Sequence, residues 1–552
     1  MKSSCAVLLF LFSSLSVSAQ SWITKLDKNI RFYQATELGI VIAGTEKSLY
    51  AIDGSTGDIL WRRKDTSLDE TDVAPVPGTD LLLLSFEKGG KARIEAVDLL
   101  TGDSIWHSEK IKGAVMQISI DPESNLVAIV LARDAKSRAR DGFKRRPLLH
   151  VLDLATGDEL WKYEVGEVEM MPARWPEDSG KEVDYTLDNY YPPVFVGGRL
   201  YVFYEGVTSF DARSGKERLR EKYRVNEEGL ALTEAEPIFT ESSIYVSGHG
   251  RVRAISRQTG DTEWEAKDLG LTPEMILAGD VLYVRTGGQF TRLKDGETVE
   301  RGSYGVSAID INSGRVLWRY KGADKGITNL LLPDRNTIAI ADRDDLIFID
   351  ATNGKRTARV AHKIERPSFG LLNERGDIVI GGQSEIAAFD AVNGRQLWRA
   401  RHTPPGRGIF RTVAAIAARA ASLYFRFGGA AMLARSSFTN LQSLATAARR
   451  IRRTPRFRRF GVSVRIDPSR QLDRLSRFLW HRDRLATLRG QWMYFYTGLE
   501  SGDSGLAGVN VNNGRTEREV RLSDLDERFV TDEVLGTMIT ASGNRLVSHG
   551  LH

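Results

Sequence analysis

Short apolar runs alternate with polar turns along most of this chain, and one stretch shows the pattern most clearly. Tyr50 and Ile52 precede a five-residue turn at positions 53–57. Ile59 and Trp61 follow the turn, again at alternating positions. Apolar residues at every second position predict short strands, so this stretch is expected to form a hairpin. The glycine that ends the turn suits the left-handed backbone that closes it, and the polar turn side chains can accept hydrogen bonds from the turn's own backbone.

The same turn returns along the chain, and its closing glycine marks each repeat. The closing glycines are Gly57, Gly102, Gly157, Gly215, Gly260, Gly314, Gly354, Gly394 and Gly514. Six repeats carry a tryptophan four residues later, namely Trp61, Trp106, Trp161, Trp264, Trp318 and Trp398, whereas Leu219, Ala358 and Arg518 occupy that position in the others. Successive glycines lie 40 to 58 residues apart up to Gly394, which is the length of a four-stranded propeller blade. A gap of 120 residues then separates Gly394 from Gly514.

These repeats resemble a known family, the pyrroloquinoline-quinone-like (PQQ-like) repeat propellers, whose blades carry the motif A-x-D-x-x-T-G-x-x-x-W. The first repeat matches the motif at Ala51, Asp53, Thr56, Gly57 and Trp61. The resemblance covers nearly the whole chain outside the N-terminus and the 405–490 region. It implies an all-β propeller of about eight four-stranded blades. The family includes quinone-dependent dehydrogenases and also non-catalytic scaffolds, such as the lipoprotein of the outer-membrane barrel-assembly machine.

The repeats define the expected organisation of the chain. Residues 20–404 should form the propeller repeats, and residues 491–552 the final repeat and the closure of the ring. Eight blades are expected although nine turns are visible, because eight is the usual upper limit of such rings. The extra turn would lie partly outside the ring, or the C-terminal strands would pair with N-terminal ones in a shared blade. The six tryptophans are expected to be structural, buried between neighbouring blades.

The segment 405–490 has a different composition from the repeats. Between positions 405 and 466 there are 13 Arg, no Lys and no acidic residue. The formal net charge of +5 therefore combines this strongly basic segment with a net charge of −8 elsewhere. The segment is expected to be an α-helical, Arg-rich insertion.

Helical spacing within this insertion predicts two-faced helices. From position 409 to 427 apolar residues cluster on one side, while Arg411, Arg419 and Arg426 fall on the other. A second helix is expected to end in Arg449, Arg450, Arg452 and Arg453. A third basic helix is expected from Ser469 to about Leu488.

Three interpretations of the insertion remain open from the sequence. It can be a small helical subdomain that packs its apolar side on the propeller. It can instead be an amphipathic element that lies on an anionic membrane surface, since apolar and Arg faces suit such an interface. The third possibility is an acidic protein or nucleic acid as partner, and nucleic acid is not expected for an exported chain.

The first nineteen residues have the features of a secretory signal, with a basic start, a short apolar run and small residues before position 20. The single Cys of the chain, Cys5, lies inside this run and has no lipidation motif before it. We therefore expect an exported protein, periplasmic or peripheral to a membrane, without a lipid anchor and without disulfides.

Two further loops and the histidines are the remaining candidates for a functional role. Residues 133–146 are rich in Lys and Arg and are expected to form a solvated hairpin loop. Residues 170–193 carry several aromatic and acidic residues and are expected to fold over a propeller face. The eight His show no pair at metal-ligand spacing, and no nucleophile or phosphate-binding motif is present. No catalytic, cofactor-binding or metal-binding residue is predicted.

Two functions follow from the resemblance. One is a non-catalytic, monomeric scaffold of the cell envelope that binds an envelope protein or an anionic membrane surface. The alternative is a PQQ-dependent oxidoreductase. The resemblance is nearer to the scaffolds, because the family's dehydrogenases stack a vicinal Cys pair on the cofactor and this chain has no Cys after position 5.

Overall fold

The computed structural model describes residues 22–402, 456–458, 463–465, 486–489 and 492–550. Short gaps in these ranges fall at 37, 77–78, 134–135, 138–142, 173–182, 188–189, 205, 223–233, 292–297, 325–327, 366, 368, 383, 500–503, 523–528 and 533–536. The described chain is almost entirely β-structure, and its one helix is a 3-10 turn at Glu70–Asp72.

The first strand, β1 (Ile23–Lys25), does not pair with the strands that follow it directly. Blade 1 contains β2 (Ile30–Ala35), β3 (Ile40–Thr45), β4 (Ser48–Asp53) and β5 (Ile59–Lys64). Blade 2 contains β6 (Val73–Pro75), β7 (Leu81–Lys88), β8 (Lys91–Asp98), β9 (Ser104–His107) and β10 (Ile111–Lys112), the last two both pairing with β8. Pairing in these blades is antiparallel, and the four strands of blade 1 lie in chain order from the innermost strand to the outermost.

Blades 3 and 4 are joined through an additional small sheet. The next strands are β11 (Ala114–Asp121), β12 (Leu126–Ala132), β13 (Lys136–Ser137), β14 (Phe143–Arg145), β15 (Leu148–Asp153), β16 (Glu159–Glu164), β17 (Val168–Pro172) and β18 (Val183–Thr186). Blade 3 has the order β11-β12-β15-β16, and the small sheet has the order β13-β18-β17-β14. Blade 4 contains β19 (Val194–Val196), β20 (Arg199–Val202), β21 (Gly206–Asp211) and β22 (Glu217–Lys222).

Blades 5 to 8 follow without a break. Blade 5 contains β23 (Ile238–Phe239), β24 (Ser243–Gly248), β25 (Arg251–Ser256) and β26 (Thr262–Ala266), and blade 6 contains β27 (Glu274–Ala278), β28 (Val281–Thr291), β29 (Thr298–Asp310) and β30 (Val316–Tyr320). Blade 7 contains β31 (Thr337–Ala341), β32 (Asp345–Asp350) and β33 (Arg356–Ala361), with a single bridge from Leu331 to Ala339 in place of a first strand. Blade 8 contains β34 (Phe369–Leu372), β35 (Ile378–Gly381), β36 (Glu385–Phe389) and β37 (Gln396–Arg401).

The last blade is assembled from both ends of the described chain. After a two-stranded hairpin of β38 (Arg456–Arg458) and β39 (Ser463–Arg465), blade 9 contains β40 (Ala486–Arg489), β41 (Trp492–Gly498), β42 (Ser504–Asn510) and β43 (Thr516–Arg521). Blade 10 contains β44 (Phe529–Asp532), β45 (Thr537–Ser542), β46 (Arg545–Gly550) and, as its outermost strand, β1. Ile23 pairs with Val547, so the N-terminal strand closes the ring.

Burial along the strands explains why these sequences form blades. The second and third strands are apolar and buried on both faces, as in β3, because each blade is covered by a neighbour on either side. The outermost strands are mostly exposed, as in β5, where Trp61 is buried, Arg63 is half-buried and the other residues are exposed. Ten buried apolar clusters in the described residues each join two neighbouring blades, and one of them joins blade 10 to blade 1 through Trp22, Tyr33 and Ile539.

The described chain therefore has ten blades, and the expectation of eight was wrong. The nine turns seen in the sequence belong to blades 1–9, and none of them lies outside the ring. The tenth blade has no such turn, because its third strand, β46, and its fourth, β1, come from opposite ends of the chain. The prediction that C-terminal strands pair with N-terminal ones is confirmed.

The predicted α-helical insertion is not supported. The helices expected at 409–427 and before Thr454 lie outside the described residues. The described parts of the insertion are strands, namely the hairpin of β38 and β39 and the strand β40. The third predicted helix is wrong at its end, because Leu488 pairs with Met493 in blade 9. The leucines of this segment have helical spacing, but β40 pairs with the apolar strand β41, and that pairing determines the local structure.

Antiparallel blades give the ring two different faces. We call the side with the turns between third and fourth strands the corner face, since it carries the nine repeated turns. The opposite side carries the turns between second and third strands and the links from one blade to the next, and we call it the excursion face. Each corner is a short turn closed by the same backbone hydrogen bond, for example from the Gly57 N–H to the Asp53 carbonyl at 2.8 Å.

Candidate functional site

Each predicted tryptophan lies on the outermost strand of its blade and reaches the corner of the next blade. The Trp61 ring lies against Gly102, and a Cβ built on that glycine would lie 2.7 Å from the ring. The indole Nε1 of Trp61 donates a hydrogen bond to the Leu99 carbonyl at 2.9 Å. The same ring contact joins Trp106 to Gly157, Trp161 to Gly215, Trp264 to Gly314, Trp318 to Gly354 and Trp398 to Gly514. The corner glycines have φ between +68° and +86°, so both backbone and space favour glycine there.

Sequence reasoning missed a seventh tryptophan with this contact. Trp22 precedes β1, lies against Gly57 and donates to the Gly54 carbonyl at 2.9 Å. It therefore occupies the tryptophan position of blade 10. The outermost strand of blade 9 has no tryptophan at the repeated position, and blade 10 has no corner to receive one. Arg518 takes that position and stacks instead on Trp492, with its guanidinium carbon 3.5 Å from the ring centre.

Trp398 departs from the pattern at its nitrogen. Its ring lies against Gly514, but its buried Nε1 has no hydrogen-bond partner in the described chain. The equivalent carbonyl, that of Val511, accepts instead from the Asn373 side chain at 3.2 Å. The ring contact is thus common to all seven tryptophans, whereas the hydrogen bond is made by six.

The long insertions of the described chain all leave the ring on the excursion face. The small sheet of β13, β14, β17 and β18 arises from the β12–β15 connection and from the link between blades 3 and 4. The β28–β29 hairpin of blade 6 extends beyond its neighbours on the same side. Residues 402–485 join β37 of blade 8 to β40 of blade 9, and both strand ends lie on this face. Tight turns alone occupy the described corner face.

The two described protrusions are fixed to the ring by specific contacts. Within blade 6, the Gly287 N–H donates to the Leu271 carbonyl at 2.9 Å. The link after the small sheet passes along the first strand of blade 3, where Gln117 donates to the carbonyls of Leu187 and Tyr190, both at 3.3 Å. The aromatic residues Tyr185 and Tyr191 of residues 170–193 are buried in the interfaces between blades. Residues 133–146 contribute β13 and β14 to the small sheet, so they form more than a solvated loop.

Arginines that follow the blade tryptophans bind the links on the excursion face. Arg319 donates to the carbonyls of Lys267 and Asp268, at 2.9 and 3.0 Å. Arg62 contacts the link residue Asp27 at 2.5 Å. Burial of the Asp27 carboxylate opposes its ionisation, but hydrogen bonds from Ser48, Thr45 and Tyr50, together with the charge of Arg62, lower its pKa to about 2. These contacts hold neighbouring blades together at the face that carries the insertions.

A buried charged cluster lies where the insertion leaves the ring. Glu385 is 1% exposed and accepts hydrogen bonds from Arg399 at 2.8 Å and from Arg401 at 3.4 Å. Arg399 also donates to the carbonyl of His362. The next residue in the chain after Arg401, His402, donates its N–H to the Ser384 carbonyl at 2.7 Å and stacks on Phe495 of blade 9. The insertion therefore starts from a fixed position between blades 8 and 9.

His362 in this cluster is held in its neutral form. Its Nδ1 accepts a hydrogen bond from the Ile364 N–H at 2.9 Å, so Nε2 carries the proton that it donates to the Asp342 carbonyl at 3.0 Å. Burial lowers the pKa of His362, although the Asp342 carbonyl and the carboxylates of Asp342, Asp345 and Asp344 oppose that shift. Arg399 of β37 is also close, since its guanidinium donates to the backbone carbonyl of His362.

We expect the folded protein to lose stability as pH falls from about 7.5 to 5.5, because the unfolded chain binds a proton at His362 near the ordinary pKa of about 6.5 and the folded chain does not. Burial also lowers the pKa of His150 and His402, which add to the slope. Urea unfolding at several pH values measures how the free energy of unfolding changes with pH. This dependence should be shallower for His362→Gln. Equal slopes for the two proteins would contradict this assignment.

The predicted arginines of the insertion lie outside the described residues. These are Arg411, Arg419, Arg426, Arg449, Arg450, Arg452 and Arg453. Within the described ranges, no helix is long and apolar enough to cross a membrane. The described residues also contain no group of three or more His, Cys, Asp or Glu side chains arranged to hold a metal ion.

The polar groups of the innermost strands bear on whether pyrroloquinoline quinone could bind. This polyacidic cofactor with its calcium ion calls for converging cationic side chains and carboxylates. Two charged side chains of the inner strands are paired within the protein, Glu274 with Arg285 at 3.2 Å and Arg31 with Asp69 at 2.5 Å. Gln34 donates to the Val73 carbonyl at 3.2 Å, and Ser119 donates to the Pro193 carbonyl at 2.5 Å.

Comparison with known proteins agrees with the repeat pattern. Residues 17–171, 173–300 and 302–459 match the family model described as outer membrane protein assembly factor BamB. No curated protein matches the chain. Similar solved structures include BamB from Moraxella catarrhalis, with 15% identity over 68% of this chain and 97% of that one and a TM-score of 0.34.

Two further solved structures have similar scores. The quinohemoprotein alcohol dehydrogenase ADHIIG from Pseudomonas putida HK5 has 13% identity over 75% of this chain and 84% of that one, with a TM-score of 0.30. The computationally designed Ika8 protein has 13% identity over 65% and 94%, with a TM-score of 0.33. Scores this low carry no argument about function, so the assignment rests on the family match along most of the sequence. The chain belongs to the family described as outer membrane protein assembly factor BamB, a family of PQQ-like repeat propellers.

Proposed function

We propose that this protein is an exported, non-catalytic scaffold of the cell envelope that holds a partner on its excursion face. The observation that carries the proposal is the one-sided placement of the long insertions, since loops on a rigid framework are where propellers carry binding residues. The family description, which names an outer-membrane assembly factor, supports an envelope location. The secretory features of residues 1–19 support export.

The Arg-rich insertion is proposed to hold the protein at an anionic membrane surface. Each Arg near such a surface contributes on the order of 1 kcal/mol, so a few of the 13 suffice for peripheral binding. The full-length chain should sediment with vesicles that contain phosphatidylglycerol, and added salt should release it. Changing Arg411, Arg419 and Arg426 to Glu should abolish sedimentation.

The same three positions changed to Lys provide the control, because they keep the charge and should keep most of the binding. Thermal unfolding of all three proteins should be nearly the same. If the Glu variant melts at a much lower temperature, the insertion is a structural brace. If the parent chain ignores vesicles at low salt, an envelope protein is the partner, and capture from envelope extract should then depend on the same arginines.

The alternative function, a quinoprotein dehydrogenase, predicts cofactor binding. We expect titration of the protein with pyrroloquinoline quinone and calcium to give no saturable absorbance change, and no dye-linked oxidation of alcohols. The reason is that the inner-strand polar groups named above bond within the protein, and that the chain has a single Cys and therefore no Cys pair. Saturable binding in the micromolar range would favour the oxidoreductase.

A further inference from the structure

The residue after each corner glycine is charged and exposed on the corner face. In blades 1 to 9 these residues are Asp58, Asp103, Asp158, Lys216, Asp261, Arg315, Lys355, Arg395 and Arg515. The carbonyl of each accepts a hydrogen bond from the backbone N–H of the first residue of its corner, as Asp58 does from Asp53 at 2.9 Å. Nine charged side chains thus start from rigid, equivalent positions around the ring.

The signs of these charges follow an order around the ring. Blades 1 to 3 carry Asp, and blades 6 to 9 carry Lys or Arg, whereas blades 4 and 5 reverse the trend with Lys216 and Asp261. The same corner is built with either sign, so folding does not impose the order. None of the nine side chains forms an ion pair with another described residue.

The order of the charges is complementary to itself when two copies of the ring are related by a two-fold axis. When two copies of the ring meet face to face across such an axis, their blades run in opposite senses, so blade 1 of one copy can lie over blade 8 of the other. Blade 2 then lies over blade 7, blade 3 over blade 6 and blade 4 over blade 5. The facing residues are Asp58 and Arg395, Asp103 and Lys355, Asp158 and Arg315, and Lys216 and Asp261. All four pairs have opposite charge, and the axis repeats each pair.

The match is specific to one register. Ten blades allow ten such registers, and each of the other nine brings at least one pair of like charges together. In the matching register Arg515 of blade 9 lies over blade 10, which has no corner. An unrelated acidic partner would bind only the blades that carry Lys or Arg. It would not explain the Asp residues of blades 1 to 3, nor Lys216 in blade 4 and Asp261 in blade 5.

We propose that the corner face binds a second copy of this chain in this register. The dimer replaces the monomer expected from the sequence. It leaves both excursion faces pointing outwards, and it does not depend on the function proposed for that face. Because exposed ion pairs are individually weak and are screened by salt, the association is weak and salt-dependent.

Sedimentation equilibrium of the full-length chain tests the proposal. At about 20 mM salt and about 100 µM protein a dimer is expected, and at about 500 mM salt a monomer. Asp103→Arg should weaken the dimer roughly tenfold or more, because it faces Lys355 of the second copy, and Lys355→Asp should do the same by facing Asp103. All these side chains are exposed at turns, so thermal unfolding should be unchanged.

Two combinations distinguish this register from a general effect of charge. The double variant Asp103→Arg with Lys355→Asp should dimerise again, and a mixture of the two single variants should form the heterodimer. The double variant Asp103→Arg with Arg395→Asp has the same net charge as the first but leaves like charges facing each other, so it should remain monomeric. A monomeric parent chain at low salt, or equal behaviour of the two double variants, would overturn the proposal.

Discussion

Replacing Trp22 with alanine should lower the free energy of unfolding by about 3–5 kcal/mol, the range for removing a large buried aromatic side chain. Trp22 is 8% exposed, its ring lies against Gly57, and its Nε1 donates to the Gly54 carbonyl. Because β1 is the outermost strand of blade 10, the substitution also weakens the strand that closes the ring. Urea unfolding followed by circular dichroism measures the difference from the parent chain.

Ile23→Ala is the matched control for this prediction. The Ile23 side chain, next to Trp22 in the sequence, is 66% exposed, so its removal should change the free energy of unfolding by no more than about 0.5 kcal/mol. Trp22→Phe should fall between the two, since it keeps an aromatic ring and loses the hydrogen bond. Equal stability of Trp22→Ala and Ile23→Ala would show that the ring does not depend on this contact.

Gly514→Ala should destabilise the protein by about 2–5 kcal/mol. Left-handed backbone costs alanine about 1–2 kcal/mol, and crowding of a packed site adds about 1–3 kcal/mol. The new Cβ would lie 2.5 Å from the Trp398 ring. The ring would have to move for the corner to remain formed. Chemical unfolding of the two proteins gives the difference directly.

Gly198→Ala separates the two contributions. Gly198 has the same φ of +74° as Gly514, but nothing lies within 4 Å of its added Cβ. Its substitution should therefore cost the backbone contribution alone, about 1–2 kcal/mol. If both alanine variants lose the same stability, the tryptophan contact adds nothing to the need for glycine at the corner.

The blades could be predicted from the sequence because each corner is local. The Asp53 carboxylate accepts hydrogen bonds from the Ser55 and Thr56 N–H groups, at 2.8 and 3.2 Å, so the turn is determined by neighbouring residues. The tenth blade could not be found in this way, because no corner turn joins its third strand, β46, to its fourth strand, β1. Trp22 could have indicated this fourth strand, because it is a tryptophan that begins a short strand-like stretch without a corner turn before it.

Less of the candidate site than of the fold could be predicted from the sequence. The long intervals between corner glycines showed where extra chain is inserted, but the common face of the insertions follows from strand order. Similarly, the sign of the charge at Asp103 or Lys355 is plain in the sequence, yet its partner depends on the number of blades around the ring. With the eight blades first expected, the facing pairs would have been different.

Closure by β1 has a consequence for how the chain folds. The Asn544 side chain donates to the carbonyl of Leu26, which is 518 positions away in the sequence, so the last contacts of the ring are extremely non-local. Contacts of this kind form late and slowly, after the blades between them have formed. The entropy of closing a loop rises only with the logarithm of its length, so each doubling costs about 0.6 kcal/mol. An insertion the size of residues 405–490 therefore adds little to that cost. Pairing of β1 with β46 can accommodate such an insertion, whereas a local hairpin cannot.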